Sequence, residues 1–197
     1  MLLRMRMAVV AAALLVAPLS VPQPALAQAA PEAAGSAAQR QAIAALDRLD
    51  GTWRGEARMA GPGGQMTFIQ TERVGSLLGG SIKVIEGRGY NADGTTSFNA
   101  MAVISWDETA GRYAFHSWAN GRSGDFPFEA TADGFRWEVQ AGPGAKVRYV
   151  AVVQDGRWHE VGHYIVEGQP PRQILEMTLT RLGDSDWPAG GAVDPGH

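Results

Sequence analysis

The sequence predicts an all-β protein: an up-and-down antiparallel β-barrel of about ten strands, preceded by one short helix. Three observations carry this. From Gly51 onward the apolar pattern changes from a helical period to alternation and does not change back. Nine turn clusters rich in Gly, Asn, Asp and Pro cut that stretch into ten runs of strand length, spaced too closely for intervening helices. A meander of that many strands must either close or leave two long edges exposed, and closure removes the edges. At about eight strands a barrel is just wide enough for side chains or one small ligand, so ten imply an interior cavity.

The elements follow in order. Arg4 and Arg6 form a basic start, and Ala8 to Val16 is an unbroken apolar run, shorter than the ~20 residues a bilayer span needs. Pro22 and Pro24 break any helix, and Ala25-Leu26-Ala27 fits a small-x-small cleavage site. Met1–Ala27 is therefore read as a Sec-type signal peptide cleaved after Ala27, which implies a periplasmic or secreted protein with no membrane span after cleavage. The arginines are not adjacent, so twin-arginine export is not indicated. Gln28–Ser36 is an Ala/Pro/Gly tether, read as disordered. Ala37–Asp50 carries Ile43, Leu46 and Leu49 three apart, one face of a short amphipathic helix.

The ten runs are Thr52–Ala60, Met66–Val74, Ser81–Arg88, Ser97–Asp107, Arg112–Ala119, Asp125–Thr131, Phe135–Val139, Ala145–Gln154, Arg157–Val166 and Gln173–Leu182. The turns between them supply glycine or asparagine for positive φ and proline for a fixed one. Short connections favour an antiparallel meander over a Greek key. Past Leu182 the chain turns to Asp, Pro and Gly, so Ala37–Leu182 reads as the folded domain and Gly183–His197 as a flexible tail.

Composition narrows the function classes. The chain has no cysteine, which excludes a disulfide framework, a Cys-ligated metal site, a thiol nucleophile and lipoprotein processing. A formal charge of −3 with no basic cluster argues against nucleic acid or an anionic membrane surface as partner. The partner expected of such a barrel is a small hydrophobic or amphipathic molecule.

Two sets of residues carry a family resemblance. Leu49-Asp50-Gly51-Thr52-Trp53 places Gly-x-Trp at the head of the first strand, and Leu179-Thr180-Arg181 closes the last. This resembles the lipocalin or calycin superfamily. The resemblance implies that Gly51, Trp53 and Arg181 form a structural closure: Trp53 packs at the closed end, and Arg181 lies across the indole and hydrogen-bonds to the helix. More narrowly, Leu77-Leu78-Gly79-Gly80, Glu86-Gly87-Arg88-Gly89-Tyr90, Trp106-Asp107, Trp158-His159-Glu160-Val161-Gly162 and Glu176-Met177-Thr178-Leu179 are similar to a bacterial family of exported calycin-like barrels, a domain of unknown function. That likeness spans about Leu46 to Leu182 and implies a fold without a chemistry. The related nitrobindin-like barrels bind haem through a His on the last strand, and Gln173–Leu182 has none.

Alternation sorts the polar side chains. Trp53, Gly55, Ala57 and Met59 share one face of the first strand, with Arg54, Glu56 and Arg58 on the other. Met66, Phe68, Gln70, Glu72 and Val74 form the more apolar face of the second. In the third, Ile82 and Val84 share a face with Glu86 and Arg88, and later Val147, Tyr149, Ala151 and Val153 line up, as do Leu175, Met177, Leu179 and Arg181. Gln70, Glu72, Glu86, Arg88 and Tyr149 thus fall on faces that otherwise read as buried. Buried polar groups must pair with one another or meet a ligand, so these five are the candidate ligand-binding residues. A solvated Glu/Arg cluster at the barrel mouth, and acid–base catalysis by two of the carboxylates, are the other readings.

His159-Glu160-Val161-Gly162-His163 matches the H-E-x-x-H of zinc metalloproteases. That chemistry needs a helix, which puts both imidazoles on one face with the Glu as general base. Here the segment runs from an Asp-Gly turn to a Glu-Gly turn, and β-branched Val161, Ile165 and Val166 favour a strand. In a strand, residues four apart stand ~13 Å from each other, too far to share a tetrahedral ion. His159 and His163 are therefore read as decoys, Glu160 falls on the opposite face, and neither zinc nor haem is expected as cofactor. His116 reads as structural; no serine-nucleophile elbow, P-loop or dinucleotide fingerprint is present.

Three functions remain open: a ligand-binding barrel with no reaction of its own, an enzyme using the cavity through Glu72 or Glu86 or through zinc at His159 and His163, and a structural envelope protein with a barrel filled by side chains.

Overall fold

The computed structural model describes residues 32–61 and 63–187. The expected signal peptide, the first residues of the tether and the end of the tail lie outside them. Helix α1 (Glu32–Ala44) starts inside the expected tether and stops earlier than the expected helix, giving way to a 3₁₀ turn at Asp47–Leu49. Eleven strands follow: β1 (Gly51–Gly61), β2 (Gly64–Leu77), β3 (Ile82–Tyr90), β4 (Thr96–Asp107), β5 (Arg112–Ala119), β6 (Arg122–Asp125), β7 (Phe128–Ala130), β8 (Gly134–Gly142), β9 (Ala145–Gln154), β10 (Arg157–Val166) and β11 (Arg172–Gly183).

All ladders are antiparallel, in the order β6-β5-β4-β3-β2-β1-β11-β10-β9-β8-β7. Its two ends are neighbours in the chain. The expected run Asp125–Thr131 splits at Pro127, which has no N–H to give a ladder. The part before it pairs with β5, where Phe126 N–H also donates to Phe115 O at 2.9 Å. The part after it pairs with β8, where Glu138 N–H donates to Pro127 O at 3.1 Å. One interrupted strand thus ties β5 to β8, and the sheet curls into the expected all-β barrel. Asn120-Gly121 and Asp155-Gly156 both take positive φ at each residue, the pairing a two-residue hairpin needs to follow strand twist.

One end of the barrel is packed shut. Ile43, Leu46 and Leu49 are buried with Trp53, Trp158 and Phe135, and Trp53 meets Trp158 edge to face at 5.8 Å. The Trp53 indole N–H donates to Leu49 O at 2.8 Å, which fixes the 3₁₀ turn over the first strand. Arg181 does hydrogen-bond to this segment, its Nε donating to Asp50 O at 3.1 Å. Its guanidinium packs over Gly51, where a Cβ would come within 2.8 Å of Nε, and among the described residues the cations stacked on aromatic rings are Arg73 and Arg172, not Arg181 on Trp53. Gly51, at φ 133°, is thus the seat of Arg181.

Lys83 is the polar member of this end. It is 0% exposed, and its Nζ donates to Asp47, Asp50 and Ser76 at 2.9, 2.6 and 2.8 Å. All three ammonium donors are used. Burial raises the Asp50 carboxyl above its usual range, against the pull of the Lys83 bond and charge.

The start of the expected tail is not loose. Asp184 accepts from Arg181 at 2.6 Å, Asp186 accepts from Arg73 at 3.2 Å, and the Trp187 ring lies under the Arg73 guanidinium at 4.3 Å. A Cβ at Gly75 would stand 2.8 Å from Trp187 Cβ, so the bare glycine lets this segment lie against the outer face of β2.

Candidate functional site

The barrel interior is hollow beyond the packed end. A cavity of about 500 Å³ opens there, of the size that takes a small ligand. Its wall is mostly apolar: Ala57 and Met59 from β1, Phe68 from β2, Phe98 and Ala100 from β4, Phe115 from β5, Trp137 from β8, and Leu175 and Met177 from β11. A barrel filled by side chains is not what the interior shows.

Four polar side chains face this space from well inside it: Gln70 and Glu72 on β2, Tyr149 on β9 and Glu160 on β10. Their placement follows from alternation along each strand, helped by two glycines on neighbouring strands. Gly87 lies across from Glu72, where a Cβ would come within 2.8 and 2.9 Å of the carboxylate oxygens. Gly162 lies across from Tyr149, where a Cβ would stand 2.7 Å from the ring. The missing side chains make room for the polar ones.

Gln70 is 4% exposed, and its Nε2 donates to Glu72 Oε1 at 2.7 Å. Burial pushes the Glu72 carboxyl up to about 8; the Gln70 bond opposes the rise, and the charges of Glu160 and Glu86 add to it. Glu160, 7% exposed, accepts from the Trp137 indole at Oε1 and the Trp158 indole at Oε2, both at 3.1 Å. Burial still raises its carboxyl above the usual range, against those two bonds. The Tyr149 ring stacks on Trp137 at 4.2 Å, and burial with the nearby charge of Glu160 pushes its hydroxyl up to about 12. At neutral pH, Glu72 is therefore a neutral acid in an aromatic cavity, able to donate as well as accept.

Two of the five candidate residues stand elsewhere. The inward face of β3 is Lys83, Ile85 and Gly87, so Glu86 and Arg88 point outward, a correction of one residue in parity. Glu86 accepts from Arg73 Nη2 at 2.8 Å and from Arg88 Nε at 3.0 Å. Partial burial alone would raise its carboxyl, but the hydrogen bonds from Arg88 and Arg73 hold it below the usual range. The group is a surface ion-pair cluster behind the Glu72 strand. Gln70, Glu72 and Tyr149 are brought together in the cavity; Glu86 and Arg88 are not.

Glu160 is the cavity residue missing from the five. Its signal was legible: alternation sets it beside Trp158 and Gly162, opposite both histidines. The H-E-V-G-H segment is indeed strand, within β10. His159 lies on the outer face, its Nε2 3.3 Å from Glu176 Oε1, and His163 shares that face. Among the described residues no group of three or more His, Asp or Glu side chains is placed to hold a metal, and no His lines the cavity. Among them, too, no helix is long and apolar enough to cross a membrane.

The fold and interior define a small antiparallel β-barrel with a mixed apolar and acidic cavity. No family model matches the sequence, and no curated protein does. Among solved structures the chain is similar to the crystal structure of Rv2717c from M. tuberculosis, with a TM-score of 0.53 at 12% identity, covering 73% of this chain and 96% of that one. At that identity the likeness shows the shared barrel-like fold alone.

Proposed function

We propose that this chain is an exported barrel that binds a small hydrophobic or amphipathic molecule in its cavity, with no reaction of its own. The observation that carries this reading is the 500 Å³ aromatic cavity with polar groups in its wall, since burying such groups has a cost that a ligand can offset. The Gly51, Trp53 and Arg181 constellation supports placing the chain with the calycin-like barrels. The basic start, apolar run and Ala25-Leu26-Ala27 support export to the periplasm or beyond.

Nile red, uncharged and fluorescent in apolar surroundings, tests the binding. It is expected to saturate at one dye per folded chain. The cavity-filling variant Ala100→Trp is expected to lose that binding while it still unfolds cooperatively. Equal dye binding by wild type and Ala100→Trp would contradict the reading. Protein recovered from periplasm is expected to begin at Gln28.

A second reading, acid–base catalysis, is favoured by one observation: burial sets Glu72 near neutrality, where a proton-transferring group works best. Glu86, on the outer face, has no part in it. Turnover abolished by Glu72→Gln, with Nile red binding retained, would make the enzyme reading the leading one.

A further inference from the structure

The polar part of the cavity leaves acceptor atoms unused on Gln70 and Glu72, beside the hydroxyls of Tyr149, Ser117 and Ser123 on the same lining. Among the described residues the Gln70 amide oxygen accepts no hydrogen bond, although the residue is almost fully buried and lines the cavity. Glu72 receives a single bond, from Gln70, and has no cation beside it. The Tyr149 hydroxyl has no partner among the described residues, and its ring stacks on Trp137 as a broad aromatic face beside them. The cation on the lining is Arg122 of β6, an exposed side chain that also edges an outer groove. The unused acceptors of Gln70 and Glu72 and the aromatic face are the complement of a ligand that brings N–H donors and positive charge on an apolar body.

We infer that the cavity's ligand is an apolar amine, bound as its ammonium with its N–H groups on Glu72 and Gln70 and its hydrocarbon part against the aromatic wall. This rests on the cavity-binding reading above and goes beyond it in naming the ligand class. An anionic amphiphile, such as a fatty acid, would set a third carboxyl group against the two already buried there. An alcohol would satisfy one acceptor and leave the charge complement unused.

Proton linkage follows from the surroundings of Glu72. Its flanking strands bring Trp53, Gly55 and Gly87 to the inner face, and the opposite wall brings Glu160 and Tyr149. Arg73, Glu86 and Arg88 lie behind it on the outer face, already paired among themselves. Lys83, Asp47 and Asp50 are bound to one another at the packed end. Among the described residues no cation on the inner face pairs with Glu72, so an arriving ammonium takes that place, and the carboxyl proton leaves to the buffer.

The test is displacement of Nile red by octylamine, octanol and octanoate, with calorimetry in two buffers of different ionisation enthalpy. Octylamine is expected to bind at least about tenfold more tightly than octanol, with octanoate weakest, a difference of ~1.4 kcal/mol or more. Near neutrality it should release about one proton per molecule bound and tighten as pH rises towards the Glu72 value, while octanoate weakens. Glu72→Gln should lose the amine preference and the proton release and keep octanol binding. The proposal falls if octylamine binds no better than octanol, if octanoate binds best, or if none of the three displaces a bound dye; in each case the cavity-binding reading stands. Absence of Nile red binding itself would take down that reading, and this one with it.

Discussion

Lys83 and Glu72 are both buried ionisable side chains on the inner face of one sheet, on the paired strands β3 and β2, yet their surroundings leave different things over. Lys83 spends every donor on Asp47, Asp50 and Ser76, and the helical segment that brings those aspartates is itself pinned by Trp53. Glu72 has one partner, a neutral amide, and faces open cavity. A buried ionisable group with its full set of partners holds the fold together. One with too few is a vacancy that a ligand can fill.

The comparison breaks most readily at the packed end. Trp53→Ala removes a buried indole that touches Trp158 and carries the bond to Leu49, and is expected to cost about 3–5 kcal/mol in denaturant unfolding. Arg181 stands opposite Trp53 in the β1–β11 ladder and bonds Asp50 O in the segment Trp53 pins, so Arg181→Ala combined with Trp53→Ala should fall short of additivity. Lys83→Met strands Asp50 and is expected to cost about 1.5–3 kcal/mol, with the loss growing as pH rises above the ordinary Asp value of 3.8, where Asp50 must ionise without its partner.

At the cavity the effect is one of pH. The Glu72 carboxyl ionises near its ordinary value of 4.5 in the unfolded chain but at about 8 in the fold. Between those limits the folded state holds a proton that the unfolded state has lost, so stability falls as pH rises, by no more than about 1.4 kcal/mol for each pH unit. Glu72→Gln should flatten that decline, and a slope unchanged by the substitution would count against a buried Glu72. The smallest effect belongs to the outer face. Arg88→Ala removes half of an exposed ion pair with Glu86 and should leave both stability and Nile red binding nearly unchanged.

The strands were legible because turn chemistry and alternation are local properties. Ten runs were readable, and the break at Pro127 follows from the same missing N–H that marks any proline in a ladder. Side-chain direction was legible where one face was plainly richer in apolar residues, as for Gln70, Glu72 and Tyr149. It failed on β3, where Ile82 and Val84 on one face match Lys83 and Ile85 on the other for bulk, and the inward positions 87 and 89 are glycines with no polarity to read. Glu86 and Arg88 were misplaced for that reason. Lys83 was illegible because its partners lie on the helical segment and on β2, and no local pattern announces a lysine buried by residues 33 and 36 positions away. The same distance hides the glycine-for-carboxylate exchange between Gly87 and Glu72, which only the pairing of β2 with β3 reveals.

The difference between the two buried groups reduces to whether the Glu72 carboxyl stays neutral at physiological pH. A carbon-13 NMR titration of the glutamate side-chain carboxyls, with Glu72 assigned through Glu72→Gln, measures this in the folded protein. A Glu72 midpoint near 8, moving down when octylamine is bound, is the result this account expects. A midpoint within the ordinary carboxylate range near 4.5 would mean that Glu72 is already solvated or paired, and would contradict the cavity as an acidic site awaiting a ligand.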